Sequence, residues 1–283
     1  MELGSLFDLA GHGPDTFVGA GPQYPWGGLF GGQIVAQALR AAAATVEADL
    51  APHSLRAYFI RRGDNAEPVR YEVDRIRNGR SFATRRVVAR QAIGAILNLE
   101  TSFQVAEEAI DLTTVHMPSG LPAPDDLIAD SWSETFDRRV VPPRQLDQAD
   151  RTGLGRMAVW MRVNRPLGDD PLVHRCWLAY LSDDMPTETV RRAIALSNLP
   201  GWPTATSAED DSAWDGIAYG ASLDHTVWFH RPLRADEWHL YDFSCHGYVG
   251  GRGLSVGHVF TADGVHAATV AQEVLLRRAR GTA

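Results

Sequence analysis

The feature that most constrains the fold is an order of patterns that occurs twice along the 283 residues. In the first half an alanine-rich segment, QIVAQALRAAAATVEADL (33–50), has the apolar spacing of a helix. Four extended runs follow it, at 53–61, 69–77, 81–91 and 95–105. The turn NGR between the second and third runs is typical of a hairpin. The first half is therefore predicted to be one helix followed by an antiparallel meander.

The second half repeats this order. PLVHRCWLAYLSD (171–183) predicts a helix, and extended runs follow at 221–232, 236–248, 254–261 and 265–278. Ser54 corresponds to Ser222, and Gly79 corresponds to Gly251. One helix on one small sheet buries little apolar surface, so we expect two such units that join their sheets edge to edge.

The stretch between the halves changes in composition. Residues 106–150 are rich in proline and acidic residues, a pattern typical of a linker laid over a surface. The predicted organisation is an N-terminal domain over 1–110, a linker over 111–150 and a C-terminal domain over 151–283. The C-terminal domain would carry the candidate site.

Composition excludes several classes of protein. The net charge is −8 and no run of lysine or arginine stands out, so we expect neither nucleic acid nor a membrane as a partner. No uncharged apolar run reaches the roughly 18 residues of a membrane span, and the N-terminus lacks a signal-peptide pattern. The two cysteines, Cys176 and Cys245, are isolated, which fits a reducing compartment. We expect a cytoplasmic protein.

Familiar catalytic motifs are missing. The sequence contains no G-x-S-x-G elbow, no complete G-x-G-x-x-G fingerprint, no H-E-x-x-H and no P-loop. The histidines lack the spacing of a metal site with a third ligand. We therefore expect neither a metal nor a cofactor.

Polar residues inside apolar elements are what remains. They are Ser182, Asp183 and Asp184 at the end of the second helix, Ser222 and Asp224 in the run ASLDHTVWFHRP, Ser244 and His246 in the next run, and Gln272 and Glu273 in the last run. Each alone has an ordinary structural explanation, such as a helix cap or a solvated strand face. A functional interpretation needs several of them together.

At these residues the sequence resembles the type II acyl-CoA thioesterase family, whose members are double-hotdog proteins. The motifs that carry the resemblance are GGLFGGQIVAQAL (27–39), HSLRAYFIRRGD (53–64), YEVDRIRNGRSFATRRVVARQ (71–91), LDHTVWFHRP (223–232), EWHLYD (237–242) and DGVHAATVAQEVLLR (263–277). They occur in order and cover nearly the whole chain, except 106–160 and 184–220.

The resemblance implies an α+β fold, a tandem double hotdog in which each of two helices is wrapped by an antiparallel sheet and the sheets join edge to edge. It also implies hydrolysis of acyl-CoA to free acid and coenzyme A. The family's water-holding trio is Asp, Thr or Ser, and Gln, and it corresponds here to Asp183, Ser222 and Gln272. Asp224 and His225 are typical of the family and are expected to support the site by hydrogen bonds.

The substrate and partners follow from the same interpretation. Acyl-CoA is the expected substrate, and the family often assembles into homo-oligomers. Arg75, Arg77 and Arg80 lie along the first hairpin, and strict alternation would put Arg75 and Arg77 on one face, where they suit phosphate groups. A solvated outer face explains these arginines equally well.

Two departures and two alternatives stay open. Ser222 stands where the family more often has Thr, and the polar segment after Asp183 departs from the family's more apolar pattern. The first alternative is a non-catalytic acyl-CoA-binding protein of the same fold. The second is a hotdog dehydratase or hydratase, but the helix end SDDMPTET lacks the histidine that such an enzyme pairs with its aspartate.

Overall fold

The computed structural model describes residues 6–146, 154–197, 199–200, 202 and 217–278. The chain divides into two compact units. Unit 1 comprises Met1–Thr114, Arg165–Asp183 and Asp224–Ala235, and unit 2 comprises Val115–Asn164, Asp184–Leu223 and Asp236–Ala283. Unit 1 therefore takes a helix and a strand from the second half of the sequence.

Antiparallel strands and three α-helices make up the described part of the chain, which confirms the predicted α+β class. The helices are α1 (Gly31–Ala43), α2 (Pro171–Leu181) and α3 (Pro186–Leu196). The strands are β1 (Ala10–Gly11), β2 (Thr16–Gly19), β3 (Leu50–Phe59), β4 (Val69–Asn78), β5 (Phe82–Gln91), β6 (Gly94–Val105), β7 (Phe136–Val140), β8 (Leu154–Val163), β9 (Ile217–Ser222), β10 (Asp224–Phe229), β11 (His239–Val249), β12 (Arg252–Thr261) and β13 (His266–Arg278).

Unit 1 is a sheet wrapped around helix α1. The strand order is β1-β2-β4-β5-β6-β3-β10, and every pairing is antiparallel. Every residue of α1 from Gly32 to Leu39 is buried, which is the behaviour of a helix covered on all sides. Two of those residues are polar, and Gln37 is satisfied by bonds to the carbonyls of Leu6 and Ala20 and from the hydroxyl of Tyr71.

Small residues let helix α2 approach α1 closely within unit 1. A Cβ atom on Gly32 would lie 2.2 Å from the carbonyl oxygen of Tyr180, so no side chain fits there. Alanines fill much of the remaining α1 surface, as the sequence pattern suggested. Helix α2 begins with a side-chain cap, because Asp170 accepts a hydrogen bond from the Leu172 amide.

Unit 2 is a sheet with strand order β7-β8-β11-β12-β13, and β9 pairs with β13. Helix α3 packs on this sheet through Val190, Ala193 and Ile194, against residues such as Cys245 and Val274. The sequence showed this segment only as a polar departure from the family pattern, and the helix was not predicted. The reason is that α3 is amphipathic, and its threonine, glutamate and arginine residues hid the apolar spacing.

The stretch predicted as a linker, 111–150, contains more structure than expected. It includes strand β7 and two 3-10 turns, Pro124–Asp126 and Pro143–Gln145. Apolar side chains at Val115, Met117, Leu121 and Leu127 pack on the cluster around Trp160 and Phe260. The domain boundaries at 110 and 150 stay a prediction.

The run ASLDHTVWFHRP is not one strand. It divides at Leu223, because β9 pairs with β13 in unit 2, whereas β10 pairs with β3 in unit 1. The Leu223 amide donates to the carbonyl of Glu273 at this point. Sequence alone gave no signal for the break, because both sides of it have strand propensity.

The longest described helix, α1, has 13 residues. None of the helices within the described ranges is long and apolar enough to cross a membrane.

Candidate active site

Asp183 lies at the end of α2 and beside the start of α1, within unit 1. Its side chain is 8% exposed. A Cβ atom on Gly31 would lie only 2.5 Å from Asp183 Oδ2, so a larger residue at position 31 would displace the carboxylate. Helix α1 has no acidic residue in its first turn and no side-chain cap at Phe30. A helix N-terminus carries partial positive charge, and the Asp183 carboxyl group lies at the end of α1 that has no acidic residue of its own.

Aromatic side chains surround this end of α1. Phe59 lies 3.0 Å from the Cβ position of Gly31, and the rings of Phe30 and Tyr180 are 4.9 Å apart in an edge-on contact. Tyr24 donates its hydroxyl proton to Gln33 Oε1 (2.8 Å), and its hydroxyl oxygen lies 3.2 Å from that of Tyr180. Burial, reinforced by Tyr180, raises the pKa of Tyr24 far above its usual value, so this phenol stays protonated.

The residue before Asp183 is fixed by a buried histidine. Ser182 Oγ lies 2.9 Å from His225 Nε2, and both residues are fully buried. The serine hydroxyl donates to the carbonyl of Ala179, and therefore the histidine nitrogen is the donor to Ser182. This contact is of the kind that the predicted supporting role of His225 requires, and the role itself stays a prediction.

Asp224, the other predicted supporting residue, lies nearer the surface. Its carboxylate is 3.8 Å from Arg56, whose side chain is 59% exposed. In the β3–β10 register it faces Tyr58. An exposed pair at this distance contributes little to stability.

Asp184, the neighbour of Asp183, is bonded to two side chains within unit 2. Asp184 Oδ1 accepts from Trp132 Nε1 (2.5 Å), and Oδ2 accepts from Arg138 Nε (2.9 Å). The side chains of Arg138 and Asp184 are 8% and 7% exposed. Burial lowers the pKa of Arg138, but the carboxylates of Asp184, Glu188 and Asp130 more than offset this, and the pKa rises above its usual value. Asp184 is thus committed to a buried ion pair.

Ser222 and Gln272 are joined directly within unit 2. Gln272 Nε2 donates to Ser222 Oγ over 2.7 Å, and Gln272 is fully buried. The sheet register explains the contact: Ser222 is opposite Val274, and Gln272 lies two residues earlier on the same face of β13. Since Ser222 accepts from the amide, its own proton is donated elsewhere.

A second polar pair, Ser255 and Thr189, lies next to Gln272. Ser255 is opposite Gln272 in the β12–β13 register, and its hydroxyl is 2.7 Å from that of Thr189 on α3. Thr189 in turn donates to the carbonyl of Pro186. These buried hydroxyls connect the Gln272 position to the helix that covers the sheet.

The three arginines predicted to bind substrate have different environments. Arg75 forms a bidentate ion pair with Asp15, with distances of 2.9–3.1 Å, and Asp15 raises the pKa of Arg75. Arg77 and Arg80 are exposed. A β-bulge between Arg75 and Arg77 breaks the alternation, because Arg75 is opposite Arg85 and Arg77 is opposite Thr84. The two side chains therefore leave opposite faces of the strand, contrary to the expectation from strict alternation.

Sequence reasoning did not identify the residues that distinguish the two aspartates. Arg138 and Trp132 fall in the stretch predicted as a linker, and the Gly31 contact with Asp183 depends on the packing of α1 against α2. The only available signal was the aspartate doublet itself. A doublet at a helix end offers two carboxylates, and sequence cannot show which one is paired.

Two models of known protein families match successive parts of this chain. Residues 21–104 match the acyl-CoA thioesterase N-terminal domain, and residues 110–276 match the acyl-CoA thioesterase C-terminal domain. Acyl-coenzyme A thioesterase 8 of Mus musculus is 35% identical over 277 residues, 88% of this chain and 80% of that protein.

Solved structures agree. Acyl-CoA thioesterase II TesB2 from Mycobacterium marinum is 34% identical, and the match covers 100% of both chains with a TM-score of 0.81. A protein with a hot dog fold from Alicyclobacillus acidocaldarius has a TM-score of 0.73 at 20% identity, over 96% of this chain and 97% of that one, and this confirms the hotdog fold. Because two successive domain matches and a relative of this identity span most of the sequence, the chain belongs to the acyl-CoA thioesterase family.

Proposed function

We propose that this protein hydrolyses acyl-CoA thioesters to free acid and coenzyme A, using a water molecule activated by Asp183, Ser222 and Gln272. The observation that carries the proposal is the position of Asp183, a buried carboxylate beside the start of α1 and among aromatic side chains. Its neighbour Asp184 is held in a buried ion pair with Arg138.

In the proposed reaction Asp183 is the general base. It takes a proton from water, and the resulting hydroxide attacks the carbonyl carbon of the thioester. The carbon–sulfur bond then breaks, and the proton held by Asp183 passes to the leaving thiolate of coenzyme A. Atoms and charge balance without a covalent acyl-enzyme.

Ser222 and Gln272 would hold the attacking water. The direct bond from the Gln272 amide to Ser222 Oγ fixes both groups before substrate arrives. A second amide proton of Gln272 and the hydroxyl of Ser222 are suited to orienting a water molecule. Fixing that water near the thioester carbon converts a chance encounter into a positioned attack.

The start of α1 is suited to stabilising the oxyanion. The first amides of a helix have no partner within the helix, and they point along the axis toward its N-terminus. Gly31 is the first residue of α1 and lies against Asp183, so a thioester attacked beside that carboxylate would have its carbonyl near these amides.

The test is a thiol-release assay with acyl-CoAs of several chain lengths. We expect release of coenzyme A by the wild-type protein and a large loss in Asp183→Asn. Binding of acyl-CoA without any release of thiol would contradict the proposal and favour the non-catalytic binding protein of the same fold. Conversion of an enoyl-CoA in place of thiol release would favour a hydratase.

The proposal also covers the protein's location, its oligomeric state and its contacts with the substrate's phosphates. We propose a cytoplasmic homo-oligomer, which light scattering on the purified protein would test. Arg77 and Arg80 remain proposed contacts for the substrate's phosphates, and Arg75 is the weakest of the three because Asp15 already neutralises it.

A further inference from the structure

The segment that leads into α1 is held by the turn after β3, within unit 1. The Leu29 amide donates to the carbonyl of Gly63 (3.0 Å), and Arg62 Nη2 donates to the carbonyl of Trp26 (2.6 Å). On the other side, Gln23 Nε2 donates to the carbonyl of Asn65 (2.9 Å). Bonds in both directions fix the two segments against each other.

This pair of segments carries two arginines without a carboxylate partner. Arg61 and Arg62 are consecutive and exposed, and the hydrogen bonds of their guanidinium groups go to the carbonyls of Ala95 and Trp26. Among the described residues, no aspartate or glutamate is at ion-pair distance from either. Some other exposed arginines of unit 1 are neutralised, for example Arg86 by Asp74, whereas Arg77 and Arg80 on the first hairpin have no ion pair in the described part of the chain. A guanidinium has five N–H donors, so most of the donors of Arg61 and Arg62 stay available to a ligand.

An aromatic ring lies beside these charges. Trp26 is 44% exposed and stacks on Tyr24 at 5.1 Å with nearly parallel planes. Its backbone carbonyl is the group that Arg62 binds, so Arg62 is bonded to the same residue that carries the exposed indole. A rigid, half-exposed indole next to unpaired arginines is suited to a ligand with both a nucleobase and phosphates.

The short segment from Gly28 to Gly31 connects Arg62 with Asp183. A Cβ atom on Gly28 would lie 2.5 Å from Arg62 Nε, and a Cβ atom on Gly31 would lie 2.5 Å from Asp183 Oδ2. Gly28 and Gly31 are three residues apart, so their Cα atoms are at most about 11 Å apart. Arg62 thus lies in the same part of unit 1 as the candidate catalytic carboxylate, where one extended ligand can reach both. In coenzyme A the pantetheine arm joins the thioester to the phosphates.

We infer that Arg61 and Arg62 bind the phosphate groups of coenzyme A and that Trp26 stacks on its adenine. The inference rests on the proposed function, because it takes acyl-CoA as the substrate. It assigns the nucleotide to the turn after β3, and it differs from the expectation that the first hairpin binds the phosphates through Arg75, Arg77 and Arg80.

The experiment compares two substrates that share one acyl group. One is acyl-CoA, and the other is the acyl thioester of N-acetylcysteamine, which lacks the nucleotide. For Arg61→Gln and for Arg62→Gln we expect KM for acyl-CoA to rise about tenfold, the loss typical of one charge-assisted hydrogen bond, with kcat unchanged. Kinetics on the truncated substrate should not change. The matched control is Arg86→Gln, another exposed arginine of unit 1, which should change neither.

A binding measurement gives a readout independent of hydrolysis. Calorimetric titration with adenosine 3′,5′-bisphosphate should show binding to the wild-type protein that weakens with added salt. The affinity should fall about tenfold in Arg62→Gln and several-fold in Trp26→Leu, in which the stacking surface is lost. Gly28→Ala should act like Arg62→Gln, because the added methyl group displaces the guanidinium.

The outcomes separate this inference from the proposed function. If the wild type hydrolyses acyl-CoA but both arginine variants leave KM and bisphosphate affinity unchanged, the inference is wrong and the hydrolase stands. If the wild type releases no thiol, the hydrolase is wrong, and the titration still tests the nucleotide site. An equal loss on both substrates would show that the arginines act only by holding the start of α1, and this also contradicts the inference.

Discussion

The two units carry corresponding serine and glutamine residues with different bonding. In unit 2, Gln272 is fully buried and donates to Ser222. In unit 1 the corresponding residues are Ser54 and Gln104. Ser54 is opposite Ser102 on β6, and its carbonyl accepts from Thr101, whereas Gln104 is only partly buried. The same residue types in a repeated pattern therefore form a bonded pair in only one of the two units.

The strand register explains the difference. Gln272 precedes the residue opposite its serine by two positions, whereas Gln104 follows the residue opposite Ser54 by two. A register shift between Pro52 and Ser54 also interrupts β3 next to its serine. A repeated sequence pattern thus specifies the repeated strands but does not specify which side chains meet across them.

The largest expected effect on kcat comes from replacing Asp183, the candidate general base. Asp183→Asn keeps the shape of the side chain and removes the base, so kcat should fall about 10²–10⁴-fold. The melting temperature should change little, because the amide has nearly the same size and shape as the carboxylate that it replaces. The control is Asp126→Asn in an exposed 3-10 turn, which should keep full activity. Near-normal turnover by Asp183→Asn would remove this residue from the mechanism.

Replacing Asp184 should lower the stability of the protein, because Asp184 stabilises unit 2 through its ion pair. Asp184→Ala removes one of the three carboxylates near the buried Arg138 and the acceptor of Trp132, and the free energy of unfolding should fall by about 1–3 kcal/mol. Urea denaturation measures this. The exposed pair between Arg162 and Asp137 is the matched control, and Asp137→Ala should cost less than about 1 kcal/mol. If Asp184→Ala and Asp137→Ala lower the free energy of unfolding equally, the buried ion pair stabilises the protein no more than the exposed pair does.

The two glutamines test the comparison directly. Gln272→Ala should lower kcat about 10–100-fold, because the attacking water loses one of its positioning groups. Gln104→Ala should leave kcat within twofold, since its amide is not part of a serine pair. If both variants lose the same activity, the bond between Gln272 and Ser222 does not distinguish the two glutamines, and the comparison is wrong.

The smallest effect concerns one histidine in each unit. Burial lowers the pKa of His53 in unit 1 and of His258 in unit 2, and for His258 the nearby Asp242 offsets part of the shift. A folded-state pKa below the unfolded value of about 6.5 means that folding favours the neutral ring. This contribution is present above that value and is lost as the pH falls below it.

His53→Asn and His258→Asn should therefore each flatten the fall in unfolding free energy between pH 7.5 and pH 5.5. Urea denaturation at several pH values measures the slope. A steeper fall in either variant would contradict the assigned sign.

Much of the fold was predictable, because its signals are local. The predicted runs 69–77 and 81–91 correspond to β4 (Val69–Asn78) and β5 (Phe82–Gln91), since alternation and the turn between them are both visible in the sequence. Helix α2, predicted over 171–183, is found at Pro171–Leu181. Its packing against α1, rather than on the sheet of the second half, was not predictable, because packing depends on contacts distant in sequence.

The candidate site was predictable only in part. The resemblance indicated Asp183, Ser222 and Gln272, and the bond between Ser222 and Gln272 follows from the β9–β13 register, which no single segment specifies. The bulge at Ile76 and the break at Leu223 depend on strand pairing in the same way. The preference for Asp183 over Asp184 gains its physical reason only from the buried partners Arg138 and Trp132.

The most direct test of the central claim is a crystal structure of Asp183→Asn with a non-hydrolysable thioether analogue of acyl-CoA. We expect one ordered water within hydrogen-bond distance of the residue at 183, of Ser222 and of Gln272, with the analogue's sulfur beside it. An analogue bound away from all three residues, or a serine and glutamine pair that shares no water with position 183, would contradict the account.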